Sequence, residues 1–152
     1  MEGNYNYSAI LFDDTEVPLD FLKKDTVYDI ALFKLNPTEK QKINISPLAV
    51  LSNSQMSLGQ TIIVAGIDNG FSTVSIGFVS AIKQATASTT GAIRTNIKPT
   101  EGFSGRPIMD VNGFLLGMYG ANNEIAPYSA IKNLIDSVQE KPADKAPLKS
   151  VQ

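Results

Sequence analysis

This sequence predicts an all-β, antiparallel fold closed by one C-terminal helix. Three observations carry that expectation. Short apolar and β-branched runs such as Ile30-Ala31-Leu32-Phe33-Lys34-Leu35 and Thr61-Ile62-Ile63-Val64-Ala65-Gly66 recur between turn residues. Asp68-Asn69-Gly70 and Val111-Asn112-Gly113 carry residues that accept the positive φ angles of tight turns. Helical spacing is convincing only once, where Ala130, Ile131, Leu134, Ile135 and Val138 fall on one stripe. The chain has 152 residues, of which 43% are hydrophobic, so a single domain with a packed core is expected rather than disorder. A barrel and a sandwich fit the pattern equally well.

The elements follow in order. Ser8 to Phe12 reads as a strand and Asp13-Asp14 as a turn. Glu16 to Leu22 contains Pro18, which has no N–H to give to a ladder, so an edge strand is expected. Ile30 to Leu35 is a strand ended by Asn36-Pro37; residues 36–44 read as a loop and 45–51 as a short strand. Ser52 to Gln60 is a turn-rich connector and Thr61 to Gly66 a buried strand. In Thr73 to Lys83 the alternation of Val74, Ile76 and Phe78 slips near Gly77-Phe78, which predicts a bulge or a bend. Residues 84–90 read as a loop and Ala92 to Ile97 as a strand. Pro107 to Asp110 and Phe114 to Tyr119 form a hairpin about Val111-Asn112-Gly113. Ser129 stands as the expected N-cap of the helix, with Pro142 beyond its end, and residues 141–152 read as a flexible tail. Phe12, Phe21, Phe33, Phe71, Phe78 and Phe114 lie in or beside strand patterns and are expected in the core; Phe103, in a Gly-rich loop, is the exception.

Composition narrows the chemistry. Thirteen basic and 15 acidic residues give a net charge of -2, which argues against a broad nucleic-acid face. No apolar run reaches the roughly 18 residues of a membrane span, and Met1-Glu2-Gly3-Asn4-Tyr5 lacks the basic start of a signal peptide. There is no cysteine, hence no disulfide or thiolate chemistry, and no histidine. Asp13-Asp14 and Asp68 are the compact acidic candidates for a metal and are better explained as turn carboxylates; no nucleotide-binding Gly-rich motif is present. No cofactor or metal is implied. Lys23-Lys24 reads as a solvated pair.

What remains is Gly102-Phe103-Ser104-Gly105-Arg106-Pro107. A serine between glycines suits acyl transfer, because glycine lets the backbone turn sharply enough for successive N–H groups to converge on an oxyanion. A tight turn with a solvated serine explains the same residues. Six further segments favour the chemical reading. Tyr28 to Leu35, Leu58 to Gly66, Val74 to Ala81, Ile93 to Asn96, Asn112 to Met118 and Tyr128 to Val138, together with the serine loop, resemble, in order, the conserved segments of trypsin-like serine proteases, most closely the HtrA (DegP-like) branch. The resemblance runs roughly from Ser8 to Val138.

That resemblance implies a trypsin-like antiparallel β-barrel fold: a partial first barrel over 1–52, a complete second barrel with its closing helix over 53–139, and a flexible tail over 140–152. It implies Ser104 as nucleophile, Asp29 as the acid that orients the base, an oxyanion hole from the N–H groups of Gly102 and Ser104, and a substrate pocket walled by Met118, Tyr119 and Gly120. It also implies a peptide or unfolded-protein substrate, an apolar preference at the cleaved residue, since Lys98 stands near the pocket floor without an acid, and an extracytoplasmic or membrane-tethered setting. A PDZ-type module beyond Gln152 would be usual for such relatives.

The family's histidine is the main departure. It belongs before the strand that Ser8 to Phe12 resembles, so the expectation is a C-terminal piece of a longer protease or, alternatively, a complete chain that has lost activity. In either case this chain alone is expected to be nearly inactive, because a serine hydroxyl without a base is a poor nucleophile. Lys98 or Lys34 would replace the base only if buried. Phe103 and Arg106 stand where the family has a small polar residue and a glycine; the bulky cation is expected to crowd the site or to tie the loop to a nearby carboxylate, and either would hold the oxyanion hole in a non-productive shape. Strand edges near Ser8 and Ile30 are expected to pair with another copy or to leave the first thirty residues disordered. A non-catalytic module holding extended peptides is the alternative function, and a β-sandwich adhesion domain the third.

Overall fold

The computed structural model describes residues 6–38, 43, 55–68, 70–85, 91–100, 102–120 and 124–138. Two antiparallel sheets and one helix make up the described chain. The first sheet contains β1 (Tyr7–Ile10), β2 (Glu16–Asp25) and β3 (Ile30–Leu35), in the order β1-β2-β3. The second contains β4 (Thr61–Asp68), β5 (Phe71–Lys83), β6 (Ala92–Thr95), β7 (Pro107–Met109), β8 (Leu115–Tyr119) and β9 (Ile125–Pro127), in the order β6-β5-β4-β7-β8-β9. Its outer strands β6 and β9 approach each other, so the six strands nearly close into a barrel. The Tyr119 hydroxyl on β8 shares a 2.7 Å hydrogen bond with Thr95 Oγ1 on β6 across the interior. Helix α1 (Tyr128–Asp136) follows β9 directly and packs on both sheets. A barrel is therefore the architecture of the second sheet, and the sandwich falls away.

Inward positions of β4, β7 and β8 supply the core. Ile62, Val64, Ile108, Leu116 and Tyr119 are buried with Val79, Met56 and Ile125. A second, smaller cluster joins Ile30 of β3 to Ala126 of β9 and Leu134 of α1, with Tyr28, Leu32, Met118 and Ile131 around it.

Several expectations are corrected. Pro18 does not mark an edge, because β2 lies between β1 and β3. Its carbonyl accepts the Asn36 N–H at 2.9 Å, so its nitrogen faces the same way, past the last β2–β3 pair of Leu19 with Leu35. The missing N–H thus falls beyond the ladder. Ser129 is not the N-cap; Pro127 occupies that position, with no side-chain cap, and β9 hands the chain straight into the helix. The bulge in β5 lies between Val79 and Ala81, where the strand exchanges β4 for β6 as its partner, a few residues beyond the expected slip. Residues 45–51, most of the 84–90 loop and the 141–152 tail lie outside the described residues.

The phenylalanines reverse the expectation most sharply. Phe12, Phe71, Phe21 and Phe78 are exposed, whereas Phe103, the one placed outside the core, is 4% exposed and packs edge-on against Tyr119 with ring centroids 5.2 Å apart. Phe33 is half-buried and meets Phe21 and Tyr7 on the open face of the first sheet. On β5 the apolar residues Val74 and Ile76 face outward, while Thr73 and Gly77 face in. Gly77 leaves the space that the Asn96 and Ile97 side chains fill.

Candidate active site

The Ser104 loop consists of two successive tight turns. The Phe103 N–H donates to Thr100 O at 3.2 Å, and the Arg106 N–H to Phe103 O at 3.2 Å. Each turn has a glycine third, Gly102 at φ 81 and Gly105 at φ 83. Positive φ at that position is the signature of a type II turn, which side-chain-bearing residues resist. Compared with a type I turn, it also reverses the direction of the third residue's N–H. Ser104 stands second in the second turn and is exposed. Among the described residues, none hydrogen-bonds its hydroxyl.

The N–H groups sort into two sets. Those of Phe103, Gly105 and Arg106 are taken, Gly105 by Tyr119 O at 2.7 Å. Those of Gly102 and Ser104 have no backbone acceptor among the described residues. Two unengaged N–H groups flanking an exposed hydroxyl are the arrangement an oxyanion needs.

The loop is tied to the end of β8 and, through it, to Asp29. Tyr119 receives Gly105 N–H and donates its own N–H to Arg106 O at 3.0 Å. The next residue, Gly120, lies against the first sheet: a side chain there would meet Tyr28 O at 2.7 Å. Ser104 and Asp29 are thus each one residue away from a backbone contact with the Tyr119-Gly120 segment. Asp29 is exposed and left-handed at φ 51, a conformation aspartate tolerates better than most residues. The turn is set by Asp25 Oδ1, which accepts the N–H groups of Val27 at 2.7 Å and Tyr28 at 3.1 Å.

Of the expected pocket wall, Met118 turns toward the helix-side cluster and Tyr119 into the barrel core. Burial raises the Tyr119 phenol above its ordinary pKa, and the Thr95 hydrogen bond opposes that rise. Gly120 is itself buried and donates its N–H to Glu124 O at 2.7 Å, while the Tyr119 N–H and carbonyl are both engaged by the Ser104 loop. Lys98 and Lys34 are both exposed, so neither has the burial that a substitute base requires. Among the described residues, no three acidic side chains converge as a metal site.

Arg106 is the residue whose placement the sequence leaves unresolved. It is 6% exposed, and no carboxylate pairs with it among the described residues. Its Nε donates to Gly102 O at 3.2 Å, Nη1 to Thr73 Oγ1 at 3.2 Å and Nη2 to Ile67 O at 2.9 Å. The guanidinium carbon lies 4.4 Å from the Phe103 ring centroid. The expected tie to a carboxylate is therefore a tie to carbonyls, a hydroxyl and an aromatic face. The family model of the trypsin-like peptidase domain matches residues 2–118, from the first sheet through the Ser104 loop and into β8.

The chain belongs to the trypsin-like peptidase domain family. The crystal structure of Deg5 is similar in fold, with a TM-score of 0.65 and 24% sequence identity. The match covers 83% of this chain and 64% of the Deg5 chain, so this peptidase domain spans less than two thirds of that relative.

Proposed function

We propose that this peptidase domain is a serine endopeptidase of the HtrA-like class in which Ser104 forms an acyl-enzyme. Its base is an imidazole supplied from outside this histidine-free sequence. The imidazole takes the Ser104 proton as Oγ attacks the peptide carbonyl. The N–H groups of Gly102 and Ser104 hold the resulting oxyanion. The imidazolium returns its proton to the leaving amine, and water then releases the acyl group by the same route. Asp29 orients the imidazole and stabilises its charged form; Gly120 and the adjoining backbone line the substrate pocket, which takes an apolar residue of an unfolded or extended protein. The supporting observation is the exposed Ser104 hydroxyl in the second of two glycine-determined turns, beside two N–H groups that have no backbone acceptor among the described residues.

The test is chemical complementation. Acylation by a p-nitrophenyl ester, and labelling by a phosphonate probe read by mass spectrometry, are expected to be slow for the chain alone. Without its base, a triad enzyme retains about 10³–10⁴-fold acceleration over water. Added imidazole is expected to raise both rates saturably, with the rise following imidazole deprotonation, and Ser104→Ala to abolish both. The lack of histidine also favours a second reading, a module that holds extended peptides without cleaving them. Peptide binding with no Ser104 labelling at saturating imidazole selects that reading. A second copy is proposed to pair along β1 or β3, the outer strands of the first sheet, and light scattering on the purified chain checks this.

A further inference from the structure

We infer that Arg106 is a positioning residue for the oxyanion cradle, a strap that holds the Gly102 turn in its productive form. The inference rests on the serine-peptidase reading above and adds a residue to it. Three observations carry it.

First, the peptide linking Gly102 to Phe103 is held at both ends. Its carbonyl accepts Arg106 Nε–H at 3.2 Å, and its N–H donates to Thr100 O at 3.2 Å. This anchors the C-terminal side of the turn in which Gly102 takes φ 81 and its own N–H has no backbone acceptor among the described residues. Second, the other end of the strap is anchored in a different element. Nη1 and Nη2 reach Thr73 and Ile67, on opposite strands of the β4–β5 hairpin. The hairpin makes room for this: a side chain on Gly66 would lie 2.6 Å from Arg106 Cδ and Nε. The cradle is therefore braced against the barrel wall rather than left to the loop's own turns. Third, the charge is buried and has no carboxylate partner among the described residues. Removing a guanidinium from water is costly, and carbonyl acceptors with an aromatic face offset that cost only in this geometry. The guanidinium bonds directly to the residue whose N–H would meet the oxyanion, and its positive charge favours negative charge there.

A purely structural cation would be equally buried, so the test must separate stability from rate. The measurement is acylation of the whole chain by a p-nitrophenyl ester in saturating imidazole, with kcat and KM resolved and Tm recorded for each variant. Arg106→Lys keeps the charge but loses the fork. Thr73→Val removes one distal acceptor and leaves the loop's composition untouched. Gly66→Ala displaces the strap from behind. In the variants that retain a wild-type Tm, kcat is expected to fall about 10-fold to 10²-fold, the scale of a misplaced or lost cradle donor, with KM nearly unchanged. Thr73→Val is expected to be the mildest, and it keeps the proposal testable if the other two unfold. Equal kcat in wild type and Thr73→Val, or a loss wholly in KM, overturns the role of Arg106 while leaving Ser104 as nucleophile. If wild type shows no imidazole-dependent, Ser104-dependent acylation, the serine reading falls and this inference with it.

Discussion

Gly102 and Gly105 illustrate how single residues shape the candidate site. Both lie at positive φ with nothing within 4 Å of where a side chain would begin, so their requirement is conformational and not steric. Gly102→Ala is expected to cost about 1–2 kcal/mol of backbone strain, or else to revert the turn to type I and redirect the N–H. Circular dichroism melts and the imidazole-dependent ester rate distinguish these outcomes: a lowered Tm with an intact rate marks strain, a lost rate with an intact Tm marks reversal. Tyr119 presents the opposite case, a polar group held inside a core. Its hydroxyl and Thr95 Oγ1 satisfy each other across the barrel at 2.7 Å. Tyr119→Phe leaves the threonine hydroxyl alone, and urea melts are expected to show a loss of about 0.5–1.5 kcal/mol, most of it shared with Thr95→Val in a double-mutant cycle.

Hairpins and the helix form the next scale. The β7–β8 turn was the plainest signal in the sequence, and its chemistry agrees with that signal. Asp110 Oδ1 accepts the N–H groups of Asn112 and Phe114, both at 2.9 Å, while Gly113 takes φ 83. Burial works against ionising Asp110, but the N–H groups of Phe114 and Asn112 outweigh it and hold the carboxyl below its ordinary value. A depressed carboxylate contributes stability that is present above the unfolded-state pKa and lost as pH falls through the folded one. Asp110→Ala is therefore expected to lower Tm at neutral pH, and the gap from wild type is expected to shrink below about pH 4. The β4–β5 hairpin was legible as a pair of strands but not by its faces. Alternation of Val74, Ile76 and Phe78 announces a strand; it does not say that the opposite face must accommodate a guanidinium, which excludes bulky apolar residues from Gly66 and Thr73. β9 escaped notice because three residues ending in proline carry no periodicity; only their pairing with β8 makes them a strand.

For the whole molecule, the two sheets meet through a small apolar contact. Ile30, Ala126 and Leu134 join β3, β9 and α1, and the Tyr28 carbonyl lies close against Gly120. This contact keeps Asp29 beside the segment that carries the Ser104 loop. Leu134→Ala should remove about 2–5 kcal/mol, the usual cost of emptying a buried leucine site. Amide exchange is then expected to accelerate in β3 and α1 before it does in β4 and β7, whose core lies elsewhere. Uniform acceleration through both sheets would mean that the clusters unfold together.

Local signals settled the elements: turn chemistry at Asn112-Gly113, β-branched runs at Thr61 to Gly66, the helical stripe of Ala130, Ile131, Leu134 and Ile135, and the serine between two glycines. These are short-range properties, set by backbone sterics and by a period of two or 3.6 residues, and a linear sequence displays them directly. Tertiary structure alone decided which face of β5 looks inward, why Phe103 belongs to the core, that Pro18 lies within a central strand, and where Arg106 finds its acceptors 33 and 39 residues away. Each of these depends on which distant groups share one enclosed space, and burial and hydrogen-bond satisfaction are properties of that space rather than of any stretch of chain.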